Sequence, residues 1–379
     1  MTSKKILCIT NDFGPRAGGI ESFVIGLVER FPKNSVTVYT STQAGDKAWD
    51  AKWLENYGVR VIRDKSRILL PTLRVGANVR KLVRNEKIES VFFGAAAPLG
   101  LLARGLRKAG VKNIVALTHG HEVWWAKVFP FNLAIFFIGN SVDHLTYLGN
   151  FTRSAISKSL GKKAENSMVR IAPGIDIEHF KSSGDAVVLR KSLGIDSKKV
   201  IVSVGRLVHR KGQDRLIQAL PKIKAVIPEA HLLLVGEGPY RGKLESIAKK
   251  LNVFESVTFV GRVHYADLTQ YICAGQVFAM PSRSRLGGLE VEGLGIVYLE
   301  ASACGLPVVA GKSGGAPDAI IEGVTGYAVD GNDVSEIARK VSYLLANPIE
   351  ATKMGEQGRR WVRENWRWEI WAHKFQELL

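Results

Sequence analysis

Glu292 and Glu300 bracket the segment Glu292-Gly-Leu-Gly-Ile-Val-Tyr-Leu-Glu300. The apolar stretch Tyr298-Leu-Glu-Ala-Ser-Ala-Cys304 completes it and stops at Gly305. In one continuous helix the two glutamates would project about 80° apart around the axis. Gly293 and Gly295 instead place Glu292 on a loop and Glu300 within the helix that follows. Free N–H groups at a helix start form an anion site. A carboxylate on each side of it suits a ligand whose hydroxyls flank a phosphate, such as a nucleotide sugar. A capped surface helix with two solvated glutamates is the competing reading of these residues alone.

A second group follows the strand-like Ile201-Val-Ser-Val204. It reads Gly205-Arg206-Leu-Val-His209-Arg210-Lys211-Gly212-Gln-Asp214-Arg215. Arg206 leaves the strand end and Lys211 precedes the next helix, so both face the carboxyl edge of a sheet, where open α/β folds bind ligands. Two cations there neutralise a leaving diphosphate. Arginine supplies a planar fork and lysine a mobile point charge. Arg210 and Arg215 extend the run, so a solvated basic loop is the alternative.

The elements that must position these groups alternate between strand and helix. Lys5–Thr10, Ser35–Thr40, Val59–Ile62, Ser90–Phe93 and Asn113–Leu117 read as strands, and Val169–Asp176 closes the first half. A fresh series comprises Val200–Val204, His231–Val235, Val257–Val260, Val277–Met280 and Pro307–Ala310. Short β-branched runs separated by helix-length segments imply parallel sheets with right-handed crossovers. At 379 residues the chain exceeds one ordinary core. Two Rossmann-like domains around a cleft follow, with residues 178–185, including Ser182-Ser-Gly184, as linker. The expected division is 1–180, 181–360, and a helix at 361–379. The N-terminus reads as a first strand without a signal sequence. No apolar run is long enough for a transmembrane helix. Cys8, Cys273 and Cys304 lack paired spacing and read as buried thiols of a reducing cytoplasm. The net charge is +18. Residues 1–180 hold 26 Lys and Arg against 14 Asp and Glu, a net of +12. A basic first half suggests a polyanionic partner.

Several motifs together resemble glycosyltransferase family 4. They are Gly205-Arg-Leu…Lys211-Gly-Gln-Asp214, Gly236-Glu-Gly-Pro239, Glu292-Gly-Leu-Gly…Leu299-Glu300-Ala, Pro307-Val-Val, Gly314-Gly-Ala-Pro-Asp-Ala and Gly323-Val-Thr-Gly326. The N-terminal Thr10–Phe23 segment, Phe93–Leu99 and Thr118-His-Gly-His-Glu122 resemble, within that family, the actinobacterial GDP-mannose-dependent phosphatidylinositol monomannoside mannosyltransferases. The resemblance covers nearly the whole chain. It implies a GT-B fold, with two Rossmann-like domains facing a central cleft and a last helix crossing back to the first. It also implies retaining transfer of mannose from GDP-mannose to a phosphatidylinositol mannoside, with an α-1,6 linkage.

Residue by residue, it implies that Arg206 and Lys211 hold the diphosphate and Glu300 the ribose hydroxyls. Glu292, with Glu290 able to share the role, meets the transferred sugar beside backbone N–H groups of Gly293, Leu294, Gly295, Ile296 and Val297. Gly261, Arg262 and Val263 meet the guanine, His119 the donor sugar, and Gly18 and Gly19 the diphosphate. A buried hydrogen-bonded histidine and a His119/His121 metal pair are the other readings of His119, the latter lacking an evident third ligand. The chain has no Asp-x-Asp motif, so Arg206 and Lys211, rather than a divalent ion, are expected to carry the diphosphate, and no cofactor is expected. No nucleophile for a double displacement is evident. Same-face attack is the favoured course, with Asp12 orienting the acceptor hydroxyl.

Arg63, Lys65 and Arg67 beside Ile68-Leu-Leu70, and Arg80, Lys81 and Arg84 at helical spacing, suit docking on an anionic membrane. The aromatic-rich Glu122–Phe131 suits an interface. The expected location is peripheral, on the cytoplasmic face of the plasma membrane. An amphipathic helix with core aromatics is the plain alternative. The tryptophan-rich end, Met354–Ala372, reads as helical and suited to interdomain packing. A sugar-nucleotide epimerase would not need the glutamate pair. A dehydrogenase would need Gly-x-Gly-x-x-Gly after the first strand, whereas Asp12-Phe-Gly-Pro-Arg-Ala-Gly-Gly19 lacks that spacing. A nucleic-acid module has no recognition motif here. Oligomeric state is left open.

Overall fold

The computed structural model describes residues 5–16, 18–181 and 184–379. Residues 1–4, Ala17 of the first loop, and Ser182 and Ser183 of the expected linker lie outside the described residues. The chain divides into two compact units, one of residues 1–174 with 368–379, the other of residues 175–367.

The first unit is built on β1 (Ile6–Ile9), β2 (Val36–Ser41), β3 (Arg60–Asp64), β4 (Ser90–Phe93), β5 (Asn113–Ala116), β6 (His144–Tyr147) and β7 (Val169–Arg170). They form one parallel sheet in the order β3-β2-β1-β4-β5-β6-β7. The second unit holds β8 (Lys199–Val204), β9 (Ala230–Val235), β10 (Val257–Gly261), β11 (Val277–Met280), β12 (Val308–Gly311) and β13 (Gly326–Val329), in the order β10-β9-β8-β11-β12-β13. The central strands are buried along their whole length, as β1, β4, β9, β11 and β12 show. Helices on both faces of a parallel sheet require this, which is why the strands read as unbroken apolar runs. Cores form between sheet and helices in each unit: Val75, Val79, Ile135 and Ile138 pack against β1, β4 and β5, and Leu216, Leu220 and Val341 against β8, β9 and β11.

The strand orders decide which loops meet. In the first unit β1, β4 and β5 are neighbours, so the loops after Ile9, Phe93 and Ala116 lie together. In the second, β8, β11 and β12 are neighbours, and the loops after Val204, Met280 and Gly311 converge.

Four features differ from the expectation. β6 and β13 were not anticipated: His144-Leu-Thr-Tyr and Gly326-Tyr-Ala-Val are too short and mixed to stand out. β7 stops at Arg170, ahead of Pro173, which has no N–H for a ladder. The terminal helix is broken, into Pro348–Asn365 and Trp368–Gln376. The units change over at Gly174/Ile175 and Arg367/Trp368, rather than at 180/181 and 360/361. Ile175 N donates to Trp366 O at 2.6 Å and pairs with Arg367, tying the two ends of the second unit to each other. The Trp368–Gln376 helix belongs to the first unit. Gln376 Nε2 donates to Arg30 O at 2.8 Å and Asn113 Nδ2 to Leu379 O at 3.0 Å. A Cβ at Gly26 would lie 2.3 Å from the Trp368 ring, so only glycine admits that indole. Among the described residues no helix is long and apolar enough to cross a membrane.

Candidate active site

The cationic loop after β8 is anchored from below. His209–Lys211 forms a single 3-10 turn before the helix Gln213–Val226. Arg283, from the loop after β11, is 4% exposed. Its backbone N–H donates to Arg210 O at 2.8 Å. Its Nη2 lies 2.7 Å from Asp214 Oδ2 and 2.8 Å from His209 Nε2. Burial and then the Arg283 charge push the His209 pKa down, so the imidazole is neutral and accepts from the guanidinium. Sequence reasoning missed Arg283. A charged residue directly after the apolar strand Val277–Met280 and Pro281-Ser282 was the available signal.

On this base the turn presents Lys211 and Arg210 to Glu292. Lys211 Nζ and Arg210 Nη1 each donate to Glu292 Oε2 at 2.7 Å. Glu292 and Lys211 are buried, at 7% and 9% exposure. Desolvation raises the Glu292 pKa, but Lys211 and Arg210 outweigh it and hold the carboxyl below its ordinary value. Arg210 is therefore a partner of Glu292, not a bystander of a solvated loop. Glu290 faces Arg285 at 3.0 Å and Arg210 at 3.8 Å.

The Glu292 backbone is fixed by the loop after β12. Gly315 N donates to Glu292 O at 2.8 Å, and Glu292 N to Ser313 Oγ at 3.3 Å. A Cβ at Gly314, where φ is +54°, would sit 2.2 Å from Glu292 O; no other residue fits. The expected loop-then-helix is present: Gly295, with φ of +82°, caps the helix Ile296–Ala303. Tyr298 beneath it is fully buried and donates to Met280 O at 2.8 Å.

Glu300 stands in contrast to Glu292. It is half-buried, and its carboxylate has no hydrogen bond or ion pair among the described residues. Desolvation, only partly offset by Lys211, raises its pKa to about 7. An acceptor left open beside a cation is what a hydroxyl-bearing ligand needs. Arg206 is exposed, with no ion pair among the described residues; Lys211 Cε lies 3.8 Å from the Cβ position of Gly205, next to it. Gly261 takes φ of +86°, its carbonyl accepts from Gly236 N at 2.8 Å, and Arg262 beyond it is exposed.

The first unit gathers a different set. Asp12, after β1, has its pKa raised to about 6 by burial and by Glu21. Arg16 bridges the two, 3.6 Å from Asp12 and 2.7 Å from Glu21. His119 is buried, with Nε2 2.7 Å from Gly94 O and its backbone N–H donating to Glu122 Oε2 at 2.7 Å. Burial lowers its pKa, and because the Gly94 carbonyl can only accept, Nε2 carries the proton of that hydrogen bond. Gly18 and Gly19 precede and open the helix Gly19–Val28; a Cβ at Gly18 would meet Glu21 Oε2 at 2.2 Å, while Gly19 has open space.

The surface cations do not all behave as expected. Arg63 is not offered to a surface. It pairs with Asp50 at 2.7 Å and donates to Ser41 O and Gly14 O at 2.9 Å each, clamping the first loop. Lys65, Arg67, Lys81 and Arg84 are exposed, and Arg80 is half-buried against Gly76 and Gly105.

Two Rossmann-like units built on parallel sheets, the second with a loop of cations and carboxylates before a helix start, define an α/β protein of two doubly wound units. A model of glycosyl transferases group 1 matches residues 187–361, and one of glycosyltransferase family 4 matches residues 17–179. The GDP-mannose-dependent alpha-(1-6)-phosphatidylinositol monomannoside mannosyltransferase of Mycolicibacterium smegmatis is 43% identical over 376 residues, spanning 99% of this chain and 98% of that one. The corresponding enzyme of Corynebacterium glutamicum, named for a monoacylated acceptor, is 40% identical over 380 residues, spanning 100% and 98%. The structure of Anabaena Alr3699/HepE in complex with UDP superposes with a TM-score of 0.83 at 21% identity, over 98% of both chains, which establishes the shared GT-B fold. The chain belongs to glycosyltransferase family 4.

Proposed function

We propose that the protein transfers mannose from GDP-mannose to a phosphatidylinositol monomannoside, forming an α-1,6 linkage with retention of configuration. The full-length identity to enzymes named for that donor and acceptor carries the reading. The second unit supplies matching chemistry. Arg206 and Lys211 take the diphosphate, stabilising charge as it develops on the leaving group. Glu300 accepts from the ribose hydroxyls. Glu292, held in place by Arg210, and assisted by Glu290, positions the sugar. Gly293 to Val297 offer N–H groups, and Gly261 to Val263 meet the base through the backbone. In the first unit His119 contacts the sugar, Gly18 and Gly19 admit the diphosphate, and Asp12 orients the acceptor hydroxyl. The acceptor attacks on the face from which the diphosphate departs, and the leaving β-phosphate oxygen takes its proton. Lys65, Arg67, Lys81 and Arg84 attract an anionic membrane surface, where such an acceptor resides.

Calorimetry with GDP against UDP, then transfer of labelled mannose to extracted inositol lipids in the presence of EDTA, tests the reading. GDP binding and a labelled dimannoside are expected. Tight UDP binding without GDP binding overturns the donor. A trapped mannosyl-enzyme in intact mass spectrometry overturns same-face attack, and loss of transfer in EDTA overturns the metal-independent diphosphate site.

A further inference from the structure

The helix Phe131–Gly139, Phe-Asn-Leu-Ala-Ile-Phe-Phe-Ile-Gly, is apolar on both sides. Ile135 and Ile138 are buried at 1% and 0% exposure, facing the first core. Leu133, Phe136 and Phe137, at i, i+3 and i+4, face outward with 46%, 42% and 46% exposed, and Phe129 just before the helix is 76% exposed. A helix apolar all round belongs inside something larger than this unit provides. The aromatics also continue inward: Phe131 packs on Trp124 and Trp125 at 4.8 and 5.0 Å between centroids, so the stripe sits on a stiff base. Leu101, 41% exposed, belongs to the neighbouring turn Leu99–Leu102, where a Cβ at Gly100 would meet Ile138 at 2.7 Å.

Charge identifies what covers this patch. Between Glu89 and Asp143 the sequence holds one acidic residue, Glu122, which is fully buried. The same stretch carries Arg104, Arg107, Lys108, Lys112 and Lys127. Arg107 and Lys112 are paired, with Asp143 and Glu89. Arg104 is exposed and lies over the Phe137 ring at 5.6 Å. On the other flank, Gly161 lies 3.7 Å, by its Cβ position, from Phe136, next to exposed Lys162 and Lys163. An apolar stripe rimmed mainly by cations, whose nearby carboxylates are the Arg107-paired Asp143 and the half-buried Glu165, matches an anionic lipid surface in both its layers. A second copy of this chain would bring the same cations against themselves.

We propose that Phe129, Leu133, Phe136 and Phe137 form a wedge that enters the acyl region of an anionic bilayer, with Arg104, Lys162 and Lys163 at the headgroups. It rests on the membrane-bound acceptor proposed above, and adds that apolar insertion, rather than charge alone, holds the protein on the surface. Sedimentation with phosphatidylglycerol/phosphatidylcholine vesicles at high salt separates the two. Cations at a surface are screened within roughly 3 Å at 1 M salt, so binding through them alone disappears. Binding that survives high salt in the wild type and falls about tenfold or more in Leu133→Ser/Phe136→Ser/Phe137→Ser is the expected result. A Phe129→Cys variant bearing an environment-sensitive fluorophore should shift to the blue on vesicle addition and be quenched by lipids brominated on the acyl chain. Vesicle-bound protein whose Phe129 label neither shifts nor quenches overturns the wedge. So does a dimer in sedimentation velocity that the triple serine variant abolishes. Transfer to a deacylated, water-soluble inositol mannoside should be unchanged in the triple variant. Failure of that transfer in the wild type counts against the enzymatic reading, while the label still reports insertion.

Discussion

The two units share one strand order but carry opposite chemistry at the same topological position. After β1, the loop into the helix Gly19–Val28 presents Asp12, with Glu21 behind it and Arg16 between. After β8, the loop into the helix Gln213–Val226 presents Arg206, Arg210 and Lys211. The first environment raises a carboxyl pKa to about 6, whereas the second depresses one. On the proposed reading, the sheet fixes where a ligand meets each unit, and the loop decides whether that ligand is a hydroxyl or an anion. In the proposed reaction these are acceptor and donor.

The sharpest way to break the comparison is to remove what holds the basic loop. Arg283 is paired and nearly inaccessible, so Arg283→Ala leaves the buried Asp214 without its cation and the half-buried His209 without its donor. A cost of about 3–5 kcal/mol is expected, as for other broken buried pairs, visible as a lowered denaturation midpoint. The equivalent pair in the first unit, Arg16 with Glu21, has its arginine largely exposed; Arg16→Ala should cost no more than about 1 kcal/mol. Equal losses would mean that the two loops are anchored alike.

Lys211→Ala comes next. It removes one of the two charges assigned to the diphosphate and frees Glu292 from one partner. Turnover should fall by about 10²–10³-fold, the usual cost of a lost charge-stabilising group. Asp12→Asn carries no such charge role and should lower turnover less, without weakening GDP binding in calorimetry. If Asp12→Asn weakens GDP binding as much as Lys211→Ala does, the division into acceptor and donor loops is wrong.

Much of the frame was legible from residues alone, because parallel strands covered on both faces leave unbroken apolar runs such as His231-Leu-Leu-Leu-Val235. The loop-then-helix at Glu292 was legible too, through Gly293 and Gly295. Partnership was not. Nothing in the order of residues says that Arg210 turns to Glu292 while Arg206 stays exposed, since both are arginines on one loop. Arg63 was misread for the same reason: it sits in a charged surface-like run, yet its planar fork fits the loop carbonyls of Phe13 and Gly14, that of Ser41 at the end of β2, and Asp50. The wedge helix was passed over because its outward phenylalanines look like core until burial is known.

Glutamine at the two glutamates sharpens the comparison within the second unit. Glu292, pinned by two cations, is expected to position the sugar, so Glu292→Gln should lower mainly kcat. Glu300 is open and assigned to the ribose, so Glu300→Gln should weaken mainly donor affinity, by about tenfold, roughly the loss of one net hydrogen bond to a charged acceptor. Matching kcat and KM changes in both variants would erase the distinction.

The smallest effect is in pH, and its sign differs between the carboxylates. Glu300 and Asp12 have folded pKa values raised to about 7 and about 6. The folded state then holds the extra proton, and each residue costs stability as pH rises through its window, from about 4.5 to 7 and from about 4 to 6. Glu300→Gln and Asp12→Asn should thus gain denaturation midpoint relative to wild type as pH rises through those windows. Glu292 runs the other way. Its pKa is lowered, so its contribution is present above about pH 4.5 and is lost on acidification; Glu292→Gln should be most destabilising at neutral pH and converge on wild type in acid. For function, Glu300 grips the ribose best when ionised. GDP affinity in wild type should therefore rise between pH 6 and 8 relative to Glu300→Gln, while the ratio of wild type to Glu292→Gln stays flat across that range. A flat Glu300 ratio would mean that this carboxylate is already ionised at pH 6, and that Lys211 governs it as firmly as it governs Glu292.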